Sequence, residues 1–464
     1  MAGFSTTDEL RGAWNDVGTI TEDGKVVIRD IDRLQGQVID DLVWTAVFAD
    51  DVALQDAARW LIRGAALATG NVPASIHDLY MAYARGETKQ FTTPAINIRG
   101  LTFDVARVVF RAAKERHVGA LILEIARSEI GYTEQRPAEY AASVLAAAIK
   151  EGWNQPVFIQ GDHFQAKAAK YMAEPQAEVG ALEDLMKEAL DAGFYQIDVD
   201  TSTLVTLEPE SLDEQQKLNY KVCAELTEFI RANEPEGITV SVGGEIGEVG
   251  AKNSTVPELK AFMDGFQKTL PAGMTGISKI SVQTGTSHGG VPLPDGTIAQ
   301  VKVDFETLSD LSRCAREEYG LGGAVQHGAS TLPDVLFDKF PQIATLEIHL
   351  ATGFQNIIFD HEKLPLQVRD KVYTHLREAH AGERKQGQTE EQFLYKTRKK
   401  GFGPFKKQWW SLSLNIKSPI MKELEAKFGF LFDKLDAGDT ARYVKEFVKV
   451  IDVLPAVPAA LRDA

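Results

Sequence analysis

The feature that most constrains the fold is an alternation, between about residues 94 and 360, of short apolar runs with longer segments of helical period. One of the longer segments, FDVARVVFRAAKERH, carries apolar residues at the i, i+3, i+4 and i+7 positions of an amphipathic helix. This alternation predicts parallel βαβ units, and eight units predict an α/β fold, the (β/α)8 TIM barrel. A doubly wound open sheet is the alternative, although it usually has fewer strands. The eight apolar runs are PAINIRG, GALILEIA, VFIQGDH, YQIDVDTS, TVSVGGEIG, KISVQTGTSHG, GAVQHGAS and FQNIIFD.

The segments on either side of this pattern have helical period, and the N-terminal one carries no cluster of metal-type ligands. We therefore divide the chain into a helical N-terminal extension over residues 1–90, a catalytic barrel over 91–365 and a helical C-terminal extension over 366–464. The C-terminal part contains a basic segment, YKTRKKGFGPFKKQWW.

Charge and composition exclude several classes of function. A net charge of −16 over 464 residues disfavours nucleic acid and anionic membranes as partners, whereas one local pocket can still bind an anionic metabolite. The chain has only two cysteines and no run of 18 apolar residues, so we expect a cytoplasmic protein without disulfides or a membrane span.

Polar residues follow the predicted strands where the carboxyl ends of a barrel hold its active site. Three histidines stand where an apolar run gives way to glycine or to a loop, and three imidazoles from strand ends are the donors of a catalytic zinc site. The sequence thus predicts a metal centre for Zn²⁺, with another divalent metal as an alternative. The strand-end residues are Asp162, His163, Asp198, Asp200, Glu245, His288, His327 and Asp360, while the other six histidines, His349 among them, are assigned to helices or loops.

Two of these positions have a second interpretation. Asp162 is either a general acid/base beside the metal or a cap for the helix that follows it. In a straight strand its side chain and that of His163 point to opposite faces, so both reach the pocket only if the backbone bends. The glycine and hydroxyl residues after His288 and His327, including Gly289, Gly328 and Ser330, suit a phosphate cradle, but many βα turns are glycine-rich without one.

With these motifs in order, the chain resembles the class II, metal-dependent fructose- and tagatose-bisphosphate aldolases over about residues 94–410. The resemblance implies that Asp162 is the catalytic acid/base and that His163, His288 and His327 bind zinc. It places Asp198 at an alternative or second metal position and Glu245 near the metal. Gly289, Gly328 and Ser330 correspond to phosphate contacts, and Lys406 or Lys407 replaces an arginine that reaches the distal phosphate of a partner subunit.

The chain departs from this family pattern at three places. The loop after the fifth run has Lys252 and Asn253 where the family has its proton-abstracting acid, so Glu248 is the substitute we predict. At the eighth run only Asp360 matches the substrate-binding set, with Asn356 two positions away from the matching place. After the second run Ala126 takes the place of a serine, and Ser128 is close by.

The predicted function is reversible aldol cleavage of a phosphorylated ketose, with fructose 1,6-bisphosphate as the expected substrate and a homo-oligomer, a dimer or larger, as the expected assembly. GDHFQAKAAKYM and EALDAGFYQIDVDTST also resemble the accessory subunit of tagatose-bisphosphate aldolases, which lacks a full zinc set. A non-catalytic accessory barrel and a zinc-dependent sugar-phosphate epimerase or isomerase therefore remain as alternatives.

Overall fold

A computed structural model of the chain describes residues 2–247, 252–285 and 302–462. Eight parallel strands form a closed barrel in which each strand pairs with the next and the eighth pairs with the first. The predicted TIM barrel is confirmed, and the open sheet is excluded. The barrel strands are, in order, Thr93–Asn97, Ile122–Ala126, Phe158–Gln165, Gln196–Asp200, Ser241–Glu245, Lys279–Val282, Ala324–Gln326 and Glu347–Leu350.

The strands are almost wholly buried, because helices cover the outside of the barrel and side chains fill its interior. The helices around the barrel, including short and 3-10 turns, are Thr102–Glu115, Arg127–Tyr132, Pro137–Glu151, Ala168–Ala173, Pro175–Ala192, Ser202–Leu204, Leu212–Asn233, Val256–Thr269, Phe305–Glu317, Asp334–Leu336, Lys339–Gln342 and Thr352–Asp360.

The prediction for the eighth strand is wrong. FQNIIFD belongs to the helix Thr352–Asp360, and the strand lies just before it at Glu347–Leu350. Within FQNIIFD the buried residues Phe354, Ile358 and Phe359 follow the helical spacing i, i+4, i+5. A short apolar run does not by itself distinguish a strand from a buried helical turn. Asn356 and Asp360 therefore do not end a strand.

The N-terminal segment contributes a small antiparallel hairpin and a group of helices. Its elements are Thr7–Asn15, the strands Gly18–Ile20 and Val26–Ile28, Ile31–Arg33, the π-helix Leu34–Val38, Ile39–Phe48, Val52–Ala68 and His77–Ala84. The C-terminal segment contains Leu366–Ala379, Ala381–Glu383, Glu390–Thr397, Arg398–Gly401, Lys406–Trp410, Leu414–Lys434, Ala441–Phe447 and Ala459–Leu461.

Aromatic packing joins the two ends of the chain to the barrel. The buried Trp410 ring lies edge-on to Phe48 at 5.4 Å and stacks on Phe103 at 6.4 Å between ring centres. Phe48 ends an N-terminal helix, and Phe103 lies on the first barrel helix. Trp410, itself in the C-terminal segment, thus contacts both the N-terminal segment and the barrel. In the three described ranges, no helix is long and apolar enough to cross a bilayer.

Candidate metal centre and pocket

A cavity of about 520 Å³ opens at the carboxyl ends of the barrel strands. Asp162, His163 and His327 lie in its wall, as do Gly328 and Ser330. Sequence reasoning thus placed these five predicted site residues at one end of the barrel, and the structure brings them into one pocket.

The third strand bends so that two consecutive side chains face the pocket. The register with the fourth strand shifts between Gly161 and Phe164, and His163 has a left-handed φ of +40°. Gly161 is required here, since a Cβ on it would lie 2.5 Å from the Phe164 ring. The bend removes the strand alternation that would otherwise point Asp162 and His163 to opposite faces.

Carboxylates surround the His163 imidazole. Its Nδ1 lies 3.0 Å from Asp200 Oδ2 and 3.1 Å from Glu245 Oε2, and its Nε2 lies 3.9 Å from Asp162 Oδ1. Burial lowers the pKa of His163, but the carboxylates raise it by more than burial lowers it. The pKa of His163 therefore lies well above its ordinary value. Burial, helped by the charge of Asp200, raises the pKa of Glu245 to about 7.

His327 lies directly after the seventh strand and joins the cluster of rings. Its ring centre is 4.3 Å from that of His163, and its Nε2 is 3.0 Å from Ser281 Oγ. The predicted residues His288, Gly289 and Glu248 lie outside the described residues.

Sequence reasoning missed His349, which is at the centre of the pocket floor. This residue of the eighth strand is 5% exposed, and its ring centre is 4.0 Å from that of His327. Its Nδ1 lies 3.0 Å from Glu124 Oε2 and 3.3 Å from Asp162 Oδ1, and its Nε2 lies 2.6 Å from Glu347 Oε1. The run LEIHL alternates apolar and polar residues, and this pattern could have identified both the strand and its inward-facing histidine.

Below His349 a buried lysine neutralises part of the negative charge. Lys279 Nζ lies 2.5 Å from Glu347 Oε1, 2.9 Å from Asp198 Oδ1 and 2.7 Å from Gln160 Oε1. Asp198, which was predicted at a second metal position, thus forms an ion pair with Lys279 at the floor of the pocket. Burial raises the pKa of Asp198, although Lys279 opposes this shift.

The donors are suited to a cation. Asp162, His163 and His327 each offer a ligand atom within 4.8 Å of the others, and the same holds for Glu124, Asp162 and His349. Burial raises the pKa of Glu124 to about 7, and its Oε1 accepts no hydrogen bond from a residue in the described ranges. Burying several carboxylates without enough positive charge to neutralise them destabilises the folded state. A bound metal ion would therefore stabilise this cluster. Imidazole and carboxylate are ligands that Zn²⁺ accepts.

Three predicted substrate residues lie away from this pocket. Asp360 and Asn356 both bind Arg398 on the outer side of the helix Thr352–Asp360, with Asp360 Oδ1 2.6 Å and Asn356 Oδ1 2.7 Å from its guanidinium. Lys406 Nζ lies 2.8 Å from Glu139 Oε1 and also donates to the Glu134 carbonyl. None of the three lines the cavity.

A closed parallel barrel with imidazole and carboxylate donors at its strand ends is typical of enzymes that use a metal ion. The sequence model described as Fructose-bisphosphate aldolase class-II matches residues 78–399, and the chain belongs to that family.

Individual relatives are distant. A fructose-bisphosphate aldolase of Giardia intestinalis is 23% identical over 214 residues, which make up 46% of this chain and 53% of that protein, so the match spans about half of the relative. A fructuronate-tagaturonate epimerase of Cohnella laeviribosi has a TM-score of 0.57 at 12% identity, covering 91% of this chain and 90% of its own. A probable tagatose 6 phosphate kinase of Sinorhizobium meliloti 1021 has a TM-score of 0.51 at 14% identity, covering 80% and 96%. At these identities the two solved structures show a shared fold.

Proposed function

We propose that the protein catalyses reversible aldol cleavage of a ketose bisphosphate with zinc as its metal. The expected reaction converts fructose 1,6-bisphosphate to dihydroxyacetone phosphate and glyceraldehyde 3-phosphate. The observation that supports this proposal is the convergence of one carboxylate, Asp162, with the imidazoles of His163 and His327 in a single pocket. We further propose that the working form is a homo-oligomer.

The metal would be held by His163 and His327, together with His288 as the family resemblance implies. When bound, zinc supplies Lewis-acid polarisation of a substrate carbonyl. Gly328 and Ser330 line the same cavity, where a backbone N–H and a hydroxyl can bind a phosphate.

Asp162 is the proposed proton acceptor for the hydroxyl whose carbon becomes the aldehyde. As the proton leaves, the oxygen pair forms the new C=O bond, and the pair of the breaking C–C bond passes to the ketone fragment. Asn97 Nδ2 lies 3.5 Å from Asp162 Oδ2, and His349 Nδ1 lies 3.3 Å from Asp162 Oδ1, so both groups orient the carboxylate. Protonation of the ketone fragment at carbon then completes the cleavage. Glu248 is the predicted donor of that proton.

The first test is release of dihydroxyacetone phosphate from fructose 1,6-bisphosphate by the purified protein. Chelation of the metal should lower the rate at least about 100-fold, because electrostatic stabilisation of this kind contributes that much, and added zinc should restore it. His327→Ala should lose activity to a similar extent, while His380→Ala, which does not line the cavity, should not. Full activity after verified metal removal would contradict the zinc proposal.

An epimerase is the second candidate, and the position of His349 favours it. His349 and its partner Glu124 place a second proton-carrying group 3.3 Å from Asp162, as an enzyme that rejoins the cleaved bond on the other face needs. An epimerase would interconvert ketose stereoisomers without accumulating triose phosphate. Chromatography of the sugars beside the triose assay separates the two functions.

A further inference from the structure

A fully buried lysine lies at the floor of the barrel, beneath the pocket. Lys279, on the sixth strand, has no exposed surface. Its Nζ lies 2.5 Å from Glu347 Oε1, 2.9 Å from Asp198 Oδ1 and 2.7 Å from Gln160 Oε1, which gives its three N–H groups three acceptor oxygens. Burial lowers the pKa of Lys279, but the two carboxylates raise it by more, so this side chain stays a cation.

The same two carboxylates belong to a group of side chains with the composition of a metal site. Asp198, Glu347 and His349 are buried, and each offers one ligand atom within 4.8 Å of the others. A zinc ion bound to them would lie about 2.0–2.2 Å from the carboxylate oxygens. Lys279 Nζ already lies within 2.9 Å of one oxygen of each carboxylate. A metal ion bound to those two oxygens would therefore overlap the ammonium group.

The surrounding residues leave room for the lysine and occupy the other oxygen of Glu347. A Cβ at Gly243, on the fifth strand, would collide with Asp198 Oδ1 and lie 3.0 Å from Lys279 Cε, so the ion pair requires a glycine here. Tyr80, on the N-terminal helix His77–Ala84, donates its hydroxyl to Glu347 Oε2. Both oxygens of Glu347 thus have a donor from the protein itself.

We propose that the Lys279 ammonium takes the place of a second metal ion, so that Asp198 binds no divalent cation in this protein. This role differs from the one that the family resemblance implies for Asp198. A metal bound in the pocket would use donors that line the cavity, as His163 and His327 do and Asp198 does not. Because the ammonium is covalently attached, the floor keeps its positive charge when that metal is removed. Lys279 has the same role in an aldolase and in an epimerase.

The test counts zinc ions per chain by inductively coupled plasma mass spectrometry, after each variant is dialysed against the same concentration of free zinc. The parent and Asp198→Asn should bind equal numbers. Lys279→Ala removes the ammonium and leaves space among the same ligands, so it should bind one ion more than the parent. The double variant Lys279→Ala, Asp198→Asn should lose that ion again. Lys417→Ala is the matched control and should gain none, because in the described ranges its buried partner Asp104 belongs to no group of three metal-type ligands.

A lower zinc content in Asp198→Asn than in the parent would overturn the proposal, since Asp198 would then bind a metal beside Lys279. Folded Lys279→Ala with the zinc content of the parent would overturn it as well. If Lys279→Ala folds only when zinc is added, as circular dichroism would show, the proposal is supported, because the ion then replaces the missing ammonium. If this variant folds under neither condition, the comparison of the parent with Asp198→Asn decides. No substrate is used, so the result is independent of cleavage activity.

Discussion

At the scale of single residues, the bend at Asp162 and His163 sets the chemistry of the pocket. A non-glycine residue in the left-handed region costs about 1–2 kcal/mol, and His163 adopts such a φ at +40°. The cost is offset because both side chains then reach one cavity. In a regular strand, one of these two side chains would point away from the cavity.

We expect His349 to stabilise the folded protein by separating two buried carboxylates. His349→Gln should lower the free energy of unfolding by about 3–5 kcal/mol, because Glu124 and Glu347 would lose the imidazole between them in a buried site. Guanidinium denaturation of the metal-free protein would measure the change. His380→Gln, which affects a pair with the exposed Glu383 and a ring contact with His375, should stay within about 0.5 kcal/mol of the parent. A loss below about 1 kcal/mol for His349→Gln would show that the carboxylates do not depend on it.

The predictability of the site also differs from residue to residue. Asp162, His163 and His327 could be found because glycine or a polar residue interrupts an apolar run at each position. His349 could not be found while its strand was assigned one element too late.

At the scale of elements, a buried ion pair connects a C-terminal helix with the first barrel helix. Lys417 Nζ, on Leu414–Lys434, lies 2.9 Å from Asp104 Oδ2, on Thr102–Glu115, and both side chains are less than a tenth exposed. The same lysine donates to the Trp410 carbonyl at 3.2 Å. This contact holds the long C-terminal helix against the barrel.

We expect Lys417→Met to destabilise the protein by about 3–5 kcal/mol, because Asp104 would keep a buried and uncompensated charge. The double variant Lys417→Met, Asp104→Leu should recover most of that loss, since both charges are then absent. Denaturation of the two single variants and the double variant gives the coupling energy. Additive losses would show that the two helices are held together by other contacts.

Seven of the eight strands could be predicted, because each apolar run is followed by glycine or polar residues and precedes a helical period. The prediction of the eighth strand was wrong for a physical reason. LEIHL has no continuous apolar run, since its buried Glu347 and His349 alternate with the apolar residues and belong to the polar floor. The helical FQNIIFD contains the adjacent β-branched residues Ile357 and Ile358, and this short continuous apolar pair indicated a strand.

At the scale of the whole molecule, Trp410 connects the chain ends through the barrel. Trp410→Ala should lower the free energy of unfolding by about 3–5 kcal/mol, since a large buried ring is removed from contacts with Phe48 and Phe103. Chemical denaturation followed by both near- and far-UV circular dichroism would measure it. Trp410→Phe should lose less. A change confined to the near-UV signal, with the far-UV midpoint unchanged, would show that the contact is only local.

The barrel could be predicted from the chain as a whole because its period extends over eight units. How the flanking helices pack could not, since amphipathic helices show which face is apolar but not which partner covers it. The C-terminal segment therefore appeared in the sequence as a basic stretch, whereas in the structure it forms part of the pocket wall.

Closure of the barrel has a consequence for how the protein is made. The first strand pairs with the eighth, as Thr93 does with Glu347, across about 250 residues of chain. Until the last strand emerges from the ribosome, the growing sheet has unpaired edges that invite association with other chains. His327 and His349 also arrive late, so a half-synthesised chain lacks two of the imidazoles that line the pocket. Variants that delay this pairing should therefore first appear as low yield and aggregation in cells, even where the purified, fully folded protein is normal.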